Sequence, residues 1–575
     1  MFDYSVTRNA SSATHLIILI ILCGILYFPY LGNTPFFDKG EPREALAVQD
    51  IVQRGEWLFP LKRATAIPSK PPLFHWSAAL TAQVTGKLDE ATIRFPSALY
   101  ATLGVLCLYI LGRKLYGGEV ALLAGAILAT TLIYENQALS ARVDMTLSFF
   151  VTASLLLFYA LYRGLLVHRL WYFLLYALVG IGTLAKGPLG LLLPGLVIAV
   201  FLAVKRRWDL FVKFAFHPGV IVTLLLAVGW YSMAISRGGE GFLNRQLLQE
   251  NFERFFGGSG HSHSFYYYLP YLFSLGVPWC LFLPFVLWDS FRSAVLADDD
   301  RLFFIVWLTG MFIFFSASMG KRPVYLLPLY PAVSLLTAVW FYGHAAAGGV
   351  RLWLFRAIAL FAAVTGVLLL FVALGDLWVH DPSWFFSPIQ RLLKPKDRAN
   401  FEVVRSELAN FGWRFDLLAT GSALLWLSLG YCLWTNRLRL AAQQLVLVSL
   451  LFGIVSRGFV VPEIADSKSY REFVAEIGRR LKPNEKIYLY GEFNSDPVIF
   501  YFGGVIETLE QTPATVAGKI GSGDAYLIMP EQAWREIQKA KEDLPAPLLV
   551  SKGKGPEGDA RLVLVRANVS QHTAI

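Results

Sequence analysis

The sequence predicts an α-helical polytopic membrane protein with a small α/β domain at its C-terminal end. Hydrophobic residues make up 55% of the 575 residues and charged residues only 16%, whereas soluble chains are usually about a quarter charged. Apolar runs of spanning length recur through the first four fifths of the chain and cease after Val461. An aromatic share of 15%, with 16 Trp and 25 Tyr, suits many membrane–water interfaces. Together these exclude a soluble enzyme, a disordered scaffold and a disulfide-rich secreted module.

The spans follow in order. About thirteen apolar runs satisfy the twenty-residue criterion. They centre near Leu22, Leu103, Leu128, Ser154, Leu178, Leu196, Leu225, Val277, Thr309, Val333, Thr365, Leu425 and Ser449. The first, over 15–30, lacks a small-residue cleavage site, so it is expected to remain as a membrane helix rather than a signal peptide. Lys186-Gly187-Pro188 divides two adjoining runs, because a lysine and a helix breaker together mark a turn. Cys23, Cys107, Cys280 and Cys432 lie far apart within apolar runs and read as core residues. No internal repeat is visible, which argues against a repeat-built transporter.

The net charge of +10 is a topology signal here, and no nucleic-acid partner is expected. Arg113-Lys114, Arg163 with Arg169, Lys205-Arg206-Arg207, Arg351 with Arg356, and Arg437 with Arg439 form short basic loops, cytoplasmic by the positive-inside rule. Loop 289–301 belongs to the same set although Asp298, Asp299 and Asp300 outweigh its arginines. The N-terminus is then inside. The long loops 32–93, 237–265 and 376–413 lie outside. Residues 1–461 form the membrane domain and 462–575 an outer α/β domain. In the latter, 470–481 and 531–542 read as helices, and 486–490, 525–529 and 561–565 as strands.

Loop 32–93 is too long and specific for a connector. Pro42 opens a helix with Glu41 as its cap, and Ala45, Val48 and Val52 give that helix one apolar face for the membrane surface. Two readings of Glu41 stand: a cap only, or an acid–base group. Lys70 precedes a proline-initiated helix in Ser69-Lys70-Pro71-Pro72, so an ammonium and free N–H groups coincide. It reads equally as a phosphate ligand or as a snorkelling lysine. His75 reads as a packed interfacial histidine. Further polar clusters stand at outer span ends: Arg142 with Asp144, Lys186-Gly187-Pro188, Arg254 in Asn251-Phe252-Glu253-Arg254, and Gly320-Lys321-Arg322-Pro323 followed by Tyr325. Arg43, Lys70, Lys186, Arg254, Lys321 and Arg322 thus share one membrane face with Asp38, Glu41 and Asp144. Excess cations with a few carboxylates suit a phosphate-bearing substrate and an acid–base group.

Six segments in order carry a family resemblance: Gly40-Glu41-Pro42-Arg43-Glu44-Ala45, Gly55-Glu56-Trp57, Ser69-Lys70-Pro71-Pro72, Ala141-Arg142-Val143-Asp144, Ala185-Lys186-Gly187-Pro188 and Gly320-Lys321-Arg322-Pro323-Val324-Tyr325. They resemble the GT-C fold membrane glycosyltransferases, in the bacterial branch related to aminoarabinose transferase and protein O-mannosyltransferase. The resemblance implies a polyprenyl-phosphate-linked sugar donor and inverting transfer on the periplasmic side of the inner membrane. The acceptor would be a glycan, a lipid such as lipid A of lipopolysaccharide, or a protein. It implies Glu41 or Asp38, with Asp144, as the catalytic acids. The donor phosphate would be held by Arg43, Lys70, Lys186, Arg254, Lys321, Arg322 and Tyr325. The family's Asp-Glu-x-Arg reads Gly40-Glu41-Pro42-Arg43 here. Its usual metal-ligand Glu and His are replaced by Ser69 and Asn251, which leaves no certain cofactor and His261-Ser262-His263 as a candidate nitrogen pair for a divalent metal. The competing expectation is a transporter or flippase of lipid-linked sugars, which predicts ionisable groups deep in the spans. Glu135 is the clearest such acid, near an outer end.

Overall fold

The computed structural model describes residues 12–568, apart from 64–65, 68, 243, 247–248, 251–262, 293–297, 347–352, 380–389, 392, 394–397, 399–400, 403–412, 483–484, 542–543 and 556–559. Among the described residues nine helices are long and apolar enough to cross a membrane. Two bent pairs, Gly118–Ala129 with Leu132–Ala138 and Phe265–Leu275 with Trp279–Ser290, pass the same test, and Leu170–Lys186 and Leu189–Val204 are shorter apolar helices. Every predicted centre falls in one of these elements, with Val277 at the bend of the second pair. Gly187 has φ +66° and ψ −146°, a conformation that ends the helix at Lys186 and lets Leu189–Val204 fold back on it.

The acidic exception among the basic loops has a partner for each charge. Asp299 pairs with Lys205 and accepts from the Tyr162 hydroxyl at 2.6 Å. Asp300 pairs with Arg163 and accepts from Tyr159 at 2.5 Å. Asp299 and Asp300 therefore lie at the same end of the bundle as Arg163 and Lys205.

At the other end, loop 32–93 folds into helices Glu41–Arg54 and Leu73–Thr85. The N-cap of the first is Gly40, not Glu41. Asp38 does the capping: its Oδ1 accepts from the N–H groups of Gly40 at 2.7 Å and Glu41 at 2.8 Å. Nor does this helix lie open on a surface. Ten of its residues, from Glu41 to Ile51, are buried, because it is sandwiched between Leu73–Thr85 and the C-terminal domain.

The last apolar helix runs on to Asp466 before the chain enters that domain. Five strands follow: β1 (Lys486–Tyr490), β2 (Glu507–Leu509), β3 (Ile520–Pro530), β4 (Leu549–Val550) and β5 (Leu562–Ala567). The sheet order is β2-β1-β3-β5-β4, with β1 parallel to β2 and β3, and β5 antiparallel to β3 and β4. Period-two alternation divides its side chains between two cores. Tyr526, Ile528, Leu562 and Leu564 join Phe473, Ile477 and Val498, and this core continues into Phe36, Leu46 and Phe74 of the outer loop. Leu527, Met529, Val563 and Val565 face Val516, Trp534 and Ile537 on the opposite side.

Polar contacts reinforce that docking. Asp496 is buried and receives Lys62 at 2.8 Å and Arg63 Nε at 2.9 Å. The Tyr501 hydroxyl accepts from Phe36 N at 2.8 Å and donates to Glu90 Oε1 at 2.8 Å. The outer loop and the C-terminal domain therefore share one end of the bundle.

Candidate active site

The charged segments at the end of the bundle that carries loop 32–93 converge on a set of ion pairs. Arg94 is fully buried one turn into the helix Glu90–Tyr116. Its Nε and Nη2 donate to both oxygens of Glu41 at 2.8 and 2.9 Å, and Nη1 donates to Leu31 O and Thr34 O at 2.9 and 2.7 Å. Glu41 Oε1 also accepts from Ala141 N at 2.9 Å. A charge this deep is tolerated only when paired and fully hydrogen-bonded, and this pair locks the outer loop to the first residues of two spans.

Asp38 is less enclosed. Its Oδ2 accepts from Arg142 Nη2 at 2.6 Å and its side chain keeps 35% of its exposure. Burial works against its charged form, but Arg142 and the two backbone donors outweigh that and hold its carboxyl below the usual carboxylate range. A Cβ on Gly40 would lie 2.5 Å from the Arg142 guanidinium. A side chain at position 40 would therefore meet Arg142, which already bonds the Asp38 carboxylate.

Arg43 donates through Nε and Nη2 to Glu44 Oε1 at 3.1 and 2.7 Å, and Glu44 Oε2 contacts His75 Nε2 at 2.9 Å. His75 is fully buried, so it is packed as expected but bonded to a carboxylate. Burial raises Glu44, yet Arg43 and His75 hold it far below the usual range. Lys70 Nζ lies 2.6 Å from Glu250 Oε2. Asp144 pairs with Lys186, whose ammonium stands 4.4 Å over the Tyr325 ring. Arg142 and Lys70 also act electrostatically on Asp144, and Arg142 and Glu250 on Arg43. These pairs therefore form one cluster.

Lys321 is buried and donates to the carbonyls of His263 at 3.0 Å and of Ser318. It has no carboxylate partner among the described residues, and burial pushes its ammonium below its ordinary value. Arg322 N donates to the Tyr268 hydroxyl at 3.2 Å. Arg254, Asn251 and His261 lie outside the described residues. Among the described residues no group of three or more His, Cys, Asp or Glu side chains is placed to hold a metal.

Comparison with known proteins then places the fold. A family model described as dolichyl-phosphate-mannose-protein mannosyltransferase matches residues 69–232. The chain is similar in fold to the crystal structure of ArnT from Cupriavidus metallidurans bound to undecaprenyl phosphate, with TM-score 0.73, 20% identity and 98% and 99% of the two chains covered. The chain has the GT-C membrane fold. Its curated relatives include the undecaprenyl phosphate-alpha-4-amino-4-deoxy-L-arabinose arabinosyl transferase of Pectobacterium atrosepticum, 26% identical over 80% of this chain and 78% of the relative. The same enzyme of Pseudomonas aeruginosa is 31% identical over 58% of this chain. The match spans 60% of that relative's length and 63% of that of a protein from Aquifex aeolicus. At TM-score 0.50, the GT-C architecture extends to the archaeal oligosaccharyltransferase of Archaeoglobus fulgidus.

In this GT-C chain the sequence reading missed Arg94 and Glu250. A lone arginine one turn inside an apolar span is itself a signal, since it demands a buried acid. Glu250 carries no comparable mark.

Proposed function

We propose that this chain is an inverting glycosyltransferase of the bacterial inner membrane. It moves a sugar from a polyprenyl-phosphate donor to a periplasmic acceptor, such as lipid A or another glycan, lipid or protein. One observation carries the reading: Arg43, Lys70, Arg142 and Lys186 are interleaved with Asp38, Glu44, Asp144 and Glu250 in a single cluster at one end of the bundle. The lipid-linked donor named for the Pectobacterium relative suits such a cluster.

In this mechanism Asp38 faces the acceptor, accepting a hydrogen bond from its hydroxyl or amine and taking the proton as that group attacks the anomeric carbon. The bond to the phosphate oxygen breaks in the same step, which inverts the centre. Lys70, Lys186, Lys321 and Arg43 hold the departing polyprenyl phosphate. Cations fixed where charge develops typically make the largest catalytic contribution. Lys70 and Lys186 rest on Glu250 and Asp144, so the phosphate takes the place of carboxylate oxygens already in position. Glu41, with both oxygens on Arg94, is a positioning residue that sets the loop carrying Asp38. No step is assigned to a metal.

The N-terminus is cytoplasmic in this reading, and the cluster and C-terminal domain are periplasmic. The deciding experiment is a mass-spectrometric comparison of lipids and glycans from cells with and without the chain. An acceptor that gains one sugar only in its presence supports the reading. Unchanged acceptors, with lipid-linked sugar crossing the membrane, would favour the flippase instead.

A further inference from the structure

Glu135 is an intramembrane acid that the ion-pair cluster does not use. It is buried in the seven-residue helix Leu132–Ala138, and an acid inside the spans is a functional candidate once its partner is named. The partner is Arg457 of the last span, with Nε 3.4 Å from Glu135 Oε1 and Nη2 donating to Asn136 Oδ1. Arg457 sits in a π-helical turn, Ser456–Val460, a departure from α geometry that recurs at functional sites. One turn earlier is Gly453, where a Cβ would lie 3.1 Å from the Glu135 carboxylate. The last span thus approaches the acid through a residue without a side chain and grips it with the next turn.

From this grip a short path leads to the cluster. The Asn136 carbonyl accepts from the Ser140 hydroxyl at 2.7 Å, and the Ser140 carbonyl accepts from Arg142 N at 2.9 Å. Ala141 N donates to Glu41 at 2.9 Å, and Arg142 Nη2 donates to Asp38 at 2.6 Å. Leu132–Ala138 follows a 65° bend, and a helix this short does not hold its own direction. Its direction is set from outside, by the Tyr134 hydroxyl on Ala101 O at 3.0 Å and by Arg457. Arg457 also acts electrostatically on Glu41 and Arg94. We infer that Glu135 and Arg457 are positioning residues for the sugar transfer: they tie the last span to Leu132–Ala138 and so hold Arg142 against Asp38. The word transfer rests on the function proposed above; the mechanical link does not.

The test compares the full chain with Glu135→Gln/Arg457→Gln, which removes both charges and strands neither. Both proteins are studied in nanodiscs. Transfer is followed over a range of pH, with the total lipid extract of the producing cells as source of donor and acceptor. Hydrogen exchange is read by mass spectrometry. The variant should transfer about ten- to a hundredfold more slowly and bind undecaprenyl phosphate within twofold of the parent. The acid limb of its rate profile should move up by about one pH unit. Burial raises the Asp38 carboxyl and Arg142 with two backbone N–H groups holds it down, so a loosened arginine lets it rise. Glu41, Asp144 and Arg43 also face Arg142 and are the same in both proteins. Exchange across 139–144 should rise roughly tenfold or more while that of β1 stays unchanged. Unaltered transfer, a slowed variant whose acid limb stays in place, or a rise in exchange shared by β1 would overturn the inference. So would loss of undecaprenyl phosphate binding, which would place the pair in the donor site. If the parent itself transfers nothing, the functional reading falls, and exchange across 139–144 alone decides the link.

Discussion

Arg142 Nη2 lies 2.6 Å from Asp38 Oδ2, and the same guanidinium sits where a side chain at position 40 would begin. Arg142 thus bonds the Asp38 carboxylate while filling the space beside Gly40, which a larger side chain there would need. Asp38 keeps part of its exposure, while Glu41 is enclosed by Arg94.

This separates two substitutions that look alike in sequence. Asp38→Asn keeps the helix cap but loses the partly exposed Arg142 ion pair, so it should cost at most about 1 kcal/mol and slow sugar transfer about a hundred- to ten-thousandfold, the usual contribution of a positioned base. Glu41→Gln should instead destabilise the protein by about 3–5 kcal/mol, because it strands the buried Arg94 charge. Thermal melts and transfer rates on both variants distinguish the roles. A stable, inactive Glu41→Gln beside a fully active Asp38→Asn would reverse the assignment.

Acid should weaken the outer loop through Glu44. Its folded carboxyl is held below the ordinary value by Arg43 and His75. A depressed folded value means that the group stabilises the fold above its unfolded pKa, about 4.3. That contribution is lost as pH falls below this value toward the folded one. The midpoint of the parent should fall more steeply below about pH 4 than that of Glu44→Gln. Parallel pH profiles would remove Glu44 from the account.

Docking of the C-terminal domain should depend on Asp496, buried between Lys62 and Arg63. Asp496→Ala leaves those cations without their carboxylate and should cost roughly 1–3 kcal/mol. Limited proteolysis should then cut between the last span and the domain faster than in the parent. An unchanged cleavage rate would mean that the apolar contacts of Phe36 and Leu46 hold the domain without it.

Much of this architecture was legible in the sequence, and its limits have a physical pattern. Hydropathy is a local sum, so every span centre and the break at Gly187 could be read directly. Strands β1, β3 and β5 alternate strongly and were visible. β2 and β4 span only Glu507–Leu509 and Leu549–Val550, too short for a period to register. Which charges would gather at one end was readable from topology. Their partners were not, because Arg94 meets Glu41 across 53 positions and Lys70 meets Glu250 across 180. Glu41 reads as a cap because Pro42 follows it; only the fold shows Asp38 turning back to the helix start.

In the proposed mechanism the donor phosphate takes Lys70 from Glu250, so removal of that acid should favour the donor. Glu250→Gln should tighten undecaprenyl phosphate binding by roughly three- to tenfold, the scale of one partly buried ion pair. Weaker binding in that variant would mean that Glu250 orients Lys70 instead of masking it.

The central claim is that the cations of this cluster hold a lipid phosphate. The most direct measurement is the affinity of the purified chain for undecaprenyl phosphate in nanodiscs, compared with Lys70→Ala and with Lys186→Gln paired with Asp144→Asn to avoid stranding a buried acid. A charge-assisted phosphate contact is worth roughly 1.5–3 kcal/mol, so each variant, assayed well below its own thermal midpoint, should bind about ten- to a hundredfold more weakly. Affinities within twofold of the parent for both would contradict the account.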